Sequence, residues 1–599
     1  MNVTKLFNDY MTRRDWRVKE NSNSPYNFGS MNKFIIGAAS KEYWCEEVYD
    51  HEIKEAHNSG FLHIHDMSGL TLYCCGYSLQ TILQKGVRGI SNIPTSSPAK
   101  HFDSALNQIS NLLTIYQNEI MGAVALSSFD TLLAPFIFRD KLSYKEVVQG
   151  IQNFIYSINS NSRAGAEPAF TNLTFDLTVP PDLASNPVVI ANEIYFKEDG
   201  SGDFYTYADF QHEMDILNEA FYDVMLNGDA ENKPFAYPIP TYSIQKEFNF
   251  DDPKYDKLWE MTGKYGYPYF SNYVNSDMKP SDVRSMCCRL RLDLTELRRR
   301  NGGLFGSGDS TGSIGVVTLN LPRLGYLSSN KQDLFGLIEK YMVIAKNSLE
   351  DKRNWLSTHI IGTGMIPAFD EYVGTIDNHF LTIGLVGLNE MIENCSWFGN
   401  HDILDMEGKM LAEETLDFMR AKLIDFQKLT GHLYNLEATP AESTCYRLAK
   451  LDVQKYPDIK TQGNINAPYY TNSCHIPVKK NPGFWRTLQH QDTLQTKFTG
   501  GTVVHLFSEG SITGTAAREL IRKACNTFKL PYLTYSPVIR LCSEHGYFDA
   551  TLDRCPICGS PGKTLQRITG YIREISNYNP GKLEEFNDRK QNRVQDFQC

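Results

Sequence analysis

Four residues near the C-terminal end of the 599-residue chain have the spacing of a metal site. In CSEHGYFDATLDRCPICG, two residues separate Cys542 from His545, and two separate Cys555 from Cys558. Ligands at i and i+3 suit a tight turn whose amides support thiolates, and two such turns supply a tetrahedral Cys3His set for zinc. Four ligands leave no open position, so the expected role is structural. The alternative is loose thiols beside a surface histidine. Gly546, Pro556 and Gly559 favour zinc turns.

Other candidates are less specific taken singly. RITGY, residues 567–571, reads alone as an ordinary turn. A glycine Cα radical, however, is unhindered by a side chain and stabilised by both flanking peptide groups, so a buried glycine on a loop is a plausible radical store. Of thirteen cysteines, four form the adjacent pairs Cys74-Cys75 and Cys287-Cys288. In a long chain without a secretory signal, such thiols are more often catalytic or metal-binding than a disulfide framework. Glu442 follows Pro440. It reads either as a desolvated general base or as a carboxylate favoured at a helix N-terminus. His63 and His65 share one strand face, as substrate-orienting groups or as a satisfied structural pair. Ser313 ends a Gly-rich loop, 306–312, that offers amides to phosphate or is a plain connector.

These residues need a scaffold. Helical spacing of apolar positions is read over 41–58 (ending at Gly60), 103–125, 142–160, 206–228, 332–356 and 404–428. FLHIHD (61–66), FTNLTFDLTVP (170–180), GVVTLNL, IIGTGMIPAF, FLTIGLVGL and GTVVHLF read as strands, and 70–79 as extended or partly helical. Such alternation suggests an α/β barrel or a doubly wound sheet. Beyond about residue 536 the character changes to Cys, Gly and Pro, marking a small C-terminal module. A net charge of −11 argues against a nucleic-acid partner. No apolar run is long enough to span a bilayer and no secretory signal opens the chain, so the expected location is cytoplasmic, with no membrane partner.

In combination the motifs are specific. RITGY resembles the glycyl-radical fingerprint, and a zinc module directly before it resembles the class III (anaerobic) ribonucleotide reductases more than the glycyl-radical lyases. FLHIHD with Cys74-Cys75, SMCCRLRLD (285–293), GVVTLNLPR (315–323), ATPAESTCYRLAKLD (438–452), YYTNSCH (469–475), FTGG (498–501) and NYNPGKLEEFNDR (577–589) match the same family in order. The resemblance covers roughly residues 45 to 590.

It implies an α/β fold: a ten-stranded α/β barrel of two antiparallel five-stranded halves. The barrel domain with its N-terminal helices would span 1–535, the zinc-binding module 536–562, and the radical loop and tail 563–599. FLHIHD lies too near the start for the N-terminal ATP cone that many members carry. The implied reaction is anaerobic reduction of ribonucleoside triphosphates to deoxyribonucleotides; a glycyl-radical lyase or dehydratase is the alternative. The radical would be stored on Gly570 and passed to Cys288, with Cys287 as runner-up. Cys74 would serve the opposite sugar face, Glu442 the 3′-OH, and His63, His65 and Ser313 the substrate. Zinc would be structural. Implied partners are a radical-SAM iron-sulfur activating protein, deoxynucleotide or ATP specificity effectors, and a second copy of the chain, with 103–160 at the homodimer interface. Formate-using relatives carry an Asn near position 313 and a Met after the radical glycine; Ser313 and the Met-free 571–599 segment favour a thioredoxin- or glutaredoxin-like reductant over formate. Cys75, Cys287 or Cys395 would then supply the second thiol.

Overall fold

The structure is a computed structural model that describes residues 2–91, 93–160, 167–276, 310–568 and 570–597. Cys287, Cys288 and the loop 306–309 lie outside the described residues. A large mixed sheet organises the chain. Its strands are β1 (Leu62–Ile64), β2 (Cys74–Tyr77), β3 (Val124–Leu126), β4 (Thr171–Phe175), β5 (Ile239–Ile244), β6 (Tyr269–Asn272), β7 (Gly312–Asn320), β8 (His379–Val386), β9 (Leu433–Glu437), β10 (Val504–Ser508) and β11 (Tyr532–Pro537).

The order is β9-β8-β7-β2-β3-β4-β5-β6-β11-β10, with β1 paired to β7 off that path. Strands β2 to β6 run parallel to one another. So do β7, β8 and β9, and so do β10 and β11. The two directions meet antiparallel at β2/β7 and β6/β11. Parallel strands need crossovers, and most of the intervening segments are helices, as the periodicity predicts. One side of β7 is apolar: Ile314, Val317 and Leu319 join the main core. Thr318 turns the other way and meets His65 and Thr439.

Two sequence readings are corrected. The helix expected over 41–58 is two helices, Phe28–Tyr43 and His51–Ser59. Between them Trp44–Val48 widens into a π turn, and Asp50 caps the second by accepting from the Ile53 amide at 2.8 Å. Gly60 ends it at φ +87°, where an L side chain is strained. IIGTGMIPAF is not a strand: Gly362 and Gly364 take positive φ, and Pro367 opens a short helix.

A second, four-stranded sheet follows β11. It holds β12 (Ile539–Cys542), β13 (Gly546–Phe548), β14 (Lys563–Arg567) and β15 (Ile572–Glu574), in the order β13-β12-β14-β15. This sheet runs across the expected boundary at 562/563, so the metal-ligand turns and the RITGY segment belong to one antiparallel unit. Among the described residues no helix is long and apolar enough to cross a membrane.

Candidate active site

Gly570 sits at the tip of a hairpin. Arg567 pairs with Ile572 across β14 and β15, and Ile568 N–H donates to the Tyr571 carbonyl at 3.1 Å, closing a four-residue turn. The turn is buried, unlike most hairpin tips. The Gly570 carbonyl accepts from Tyr269 Oη at 2.8 Å and from Arg567 Nη1 at 3.1 Å. The Arg567 guanidinium also lies over the Tyr269 ring, 4.5 Å from its centroid. Strand β6 of the large sheet thereby holds the hairpin of the small one.

Tyr571 carries the connection onward. Its hydroxyl donates to Glu442 Oε2 at 2.5 Å, and the Ser22 amide donates to Glu442 Oε1 at 2.7 Å. Both donors are remote in sequence, so Glu442 does not cap its own helix, Thr444–Lys455. Burial raises the Glu442 pKa, opposed by the Tyr571 hydrogen bond. A buried carboxylate whose pKa is raised is better suited to accept a proton inside the cavity than an exposed one.

Gly570, Tyr571 and Glu442 line a cavity of about 520 Å³. His63 and His65 line it as well, their rings 4.7 Å apart and edge-to-face. His65 Nε2 lies 2.7 Å from Thr318 Oγ1, and His63 Nδ1 accepts from Arg447 Nη1 at 3.2 Å. Burial, then neighbouring positive charge, pushes His65 down to about 3 and His63 well below the ordinary range. These rings are neutral at physiological pH. The N-terminal segment forms another wall through Tyr10, Glu20, Asn23, Lys33 and Lys41. Asn23 accepts from Tyr237 Oη at 2.9 Å and from Arg573, and its amide donates to Glu167 Oε2 at 2.7 Å.

Cys74 is fully buried and faces Ser313 across the antiparallel β2/β7 pair. Its neighbours Tyr73, Gly122 and Ala123 line the cavity; Cys74 and Ser313 do not. Ser313 Oγ bonds the Gly315 carbonyl at 3.1 Å and Thr382 Oγ1 at 2.9 Å, so its hydroxyl is engaged within the sheet. Cys75 joins the apolar core on the opposite face, as strand alternation requires. Cys395 lies in that core too, 3.9 Å from Ser328 Oγ. Neither is placed to pair with Cys74, and the other candidate, Cys287, is outside the described residues.

The Cys/His quartet is assembled. One ligand atom from each of Cys542, His545, Cys555 and Cys558 lies within 4.8 Å of the others. Cys542 Sγ is 3.5 Å from Cys558 Sγ and 3.6 Å from His545 Nδ1, and Cys555 Sγ is 3.7 Å from His545 Nδ1. Zinc–sulfur bonds of about 2.3 Å set tetrahedral edges near these separations, so the donor set fits zinc. Gly546 and Gly559 take positive φ in the two turns.

Sequence reading missed His57, Arg447, Tyr571 and the N-terminal wall. Tyr571 adjoins the glycine and His57 stands one turn before FLHIHD, but only the fold aims them into one space.

Comparison with known proteins agrees with this geometry. A family model described as "Anaerobic ribonucleoside-triphosphate reductase" matches residues 20–591. The chain is 24% identical over 600 aligned positions to the anaerobic ribonucleoside-triphosphate reductase of Haemophilus influenzae, covering 93% of this chain and 80% of that protein. It is 23% identical to the reductase of enterobacteria phage T4, covering 93% and 90%. Its fold is similar to the anaerobic ribonucleotide reductase of Thermotoga maritima solved with dATP in the specificity site: TM-score 0.74, 20% identity, 96% of each chain covered. Because the family match takes in the N-terminal wall, the histidine strand, Glu442 and the Gly570 hairpin, the chain belongs to the anaerobic ribonucleoside-triphosphate reductase family.

Proposed function

We propose that this chain is a catalytic subunit that reduces ribonucleoside triphosphates to 2′-deoxyribonucleoside triphosphates by radical chemistry. One observation carries the residue assignment: Gly570 is buried at a hairpin tip in the cavity wall, and the adjacent Tyr571 hydrogen-bonds Glu442. In this reading Gly570 stores the radical after a radical-SAM activating protein removes a Cα hydrogen. Cys288 relays it to the ribose C3′–H. Hydrogen-atom transfer needs near contact, roughly 3–3.5 Å between reacting atoms, so the Cys288 loop must meet the Gly570 hairpin. Glu442 takes the 3′-OH proton and later returns it. Cys74 and a second thiol supply the proton with which the 2′-OH leaves as water and the hydrogen that C2′ gains, ending as a disulfide that the dithiol reductant reduces. Cys288 returns the hydrogen to C3′, regenerating its thiyl radical. His63 and His65 orient the substrate as neutral rings; Ser313 supports the Cys74 strand.

The same reading closes the large sheet into a ten-stranded barrel of two five-stranded halves. The two parallel sets support it, as does the Ala438 amide at 2.8 Å from the Gly501 carbonyl, between the segments that bear β9 and β10. Cys542, His545, Cys555 and Cys558 would hold zinc, which cross-links the small sheet when bound. A homodimer with deoxynucleotide or ATP effectors follows from kinship with proteins such as the dATP-bound Thermotoga reductase.

Formate and a thioredoxin system, supplied separately during anaerobic turnover of CTP, test the electron source. Turnover with thioredoxin and not with formate is expected. Formate-driven turnover would remove the dithiol route.

A further inference from the structure

One end of the cavity is lined by hydrogen-bond donors, one of which has no acceptor among the described residues. His57 is 1% exposed and lines the cavity. Its Nδ1 accepts the Ile64 amide at 3.1 Å, which fixes the ring proton on Nε2. Among the described residues that Nε2–H has no hydrogen-bond partner. Buried N–H groups without an acceptor are rare, and one in a cavity wall points to an acceptor supplied by a ligand.

Two cations and one carboxylate lie around it. Arg447 donates to His63 Nδ1 at 3.2 Å and to the His57 carbonyl at 2.6 Å, so the proton of His63 is also on Nε2. Lys41 lines the same region. Among the described residues neither cation forms an ion pair. Glu20 is the carboxylate whose charge both feel, and it hydrogen-bonds Ser443 instead. The helix Thr444–Lys455 begins at this wall, with Ser443 and Thr444 lining it and no side-chain cap on its first turn. Two neutral imidazole N–H groups, a guanidinium, an ammonium and a helix N-terminus make a surface that donates. Its complement is a ligand rich in oxygen acceptors and negative charge.

We infer that His57, with Arg447 and Lys41, binds the phosphate chain of the ribonucleotide, as a phosphate-recognition wall of the cavity. This rests on the reading that the cavity takes the substrate. It gives His57 a binding role distinct from that of His63 and His65, and it gives Lys41, otherwise a surface lysine, a reason to face inward.

Binding to the unactivated protein tests it without any chemistry. CTP, CDP and cytidine are titrated into wild type, Lys41→Met and His57→Phe, with inorganic tripolyphosphate as competitor. Wild type should bind CTP tighter than CDP and CDP tighter than cytidine, and tripolyphosphate should displace CTP. Lys41→Met, on an exposed side chain, should fold normally and weaken CTP at least tenfold while changing cytidine less than twofold. His57→Phe should show the same pattern, and Lys41→Met stands alone if His57→Phe does not fold. Equal losses for CTP and cytidine, or no loss for CTP, would overturn the inference. Failure of the reductase reading would appear elsewhere, as no dCTP from activated wild-type protein.

Discussion

At the scale of the residue, Tyr571 links the Gly570 hairpin to Glu442 through one hydrogen bond, and the two proposed roles can be tested separately. Gly570→Ala adds a methyl at the hairpin tip and replaces the glycyl Cα with an alanyl one. The expected outcome is a folded protein whose EPR spectrum after anaerobic activation lacks the glycyl doublet. Glu442→Gln keeps the shape and one acceptor but cannot take a proton. Loss of a positioned base costs about 10²–10⁴ in rate. CTP affinity should stay within a few-fold of wild type while kcat falls in that range, and an unchanged kcat would reassign the carboxylate. Lys352 makes a prediction about pH. It is 3% exposed against Gly315, whose missing side chain leaves it room, and burial pushes its pKa down to about 8. The folded pKa lies below the unfolded one, near 10.4. The charged form is therefore penalised below pH 8, and the penalty fades as pH rises through 8 to 10.4. A shift of this size corresponds to about 3 kcal/mol. Lys352→Met should raise the thermal midpoint at pH 7, with the gain shrinking toward pH 10; a gain independent of pH would refute the cause. The ligand types were legible in sequence because cysteine spacing and the RITGY neighbourhood are local. Tyr571 and Ser22 as partners of Glu442 were not, because 129 and 420 residues separate them from it.

At the scale of the element, one antiparallel sheet joins the metal-ligand turns to the Gly570 hairpin. Cys542 ends β12, and β12 pairs with β14, which leads directly into the tip. Zinc would hold the base of the hairpin, while Tyr269 and Arg567 hold its tip through the Gly570 carbonyl. Cys555→Ser should lose zinc by metal analysis and raise amide hydrogen exchange over 563–574; stoichiometric zinc in the variant would count against the ligand set. The N-terminal segment bears on the same hairpin: Asn23 accepts from Arg573, and Lys19 donates to the Ser576 carbonyl at 3.2 Å. Periodicity found the long helices Lys331–His359 and Met406–Thr430. It read one helix over 41–58 because the break at Trp44–Val48 is a π turn with no Gly or Pro to mark it in the sequence. It took IIGTGMIPAF for a strand because apolar residues around glycines carry no period of their own.

At the scale of the molecule, the two directions of the large sheet contribute different parts of the site. Parallel strands β2 to β6 set Cys74 beside the cavity-lining Tyr73 and Tyr269 against the Gly570 carbonyl; the opposite set brings Thr318 to His65 and leads through the turn after β9 to Glu442. The small sheet and the N-terminal segment complete the cavity wall. Family kinship was legible from ordered motifs spread along the chain, whereas strand order was not, since antiparallel junctions such as β2/β7 join residues hundreds apart. The central claim is that a radical on Gly570 drives ribonucleotide reduction in this cavity. Anaerobic activation with a radical-SAM activating protein, followed by parallel EPR and CTP turnover on wild type and Gly570→Ala, tests it most directly. The account predicts a glycyl doublet and dCTP from wild type, and neither from Gly570→Ala. A doublet in Gly570→Ala, or a wild-type doublet without dCTP under both reductants, would contradict it.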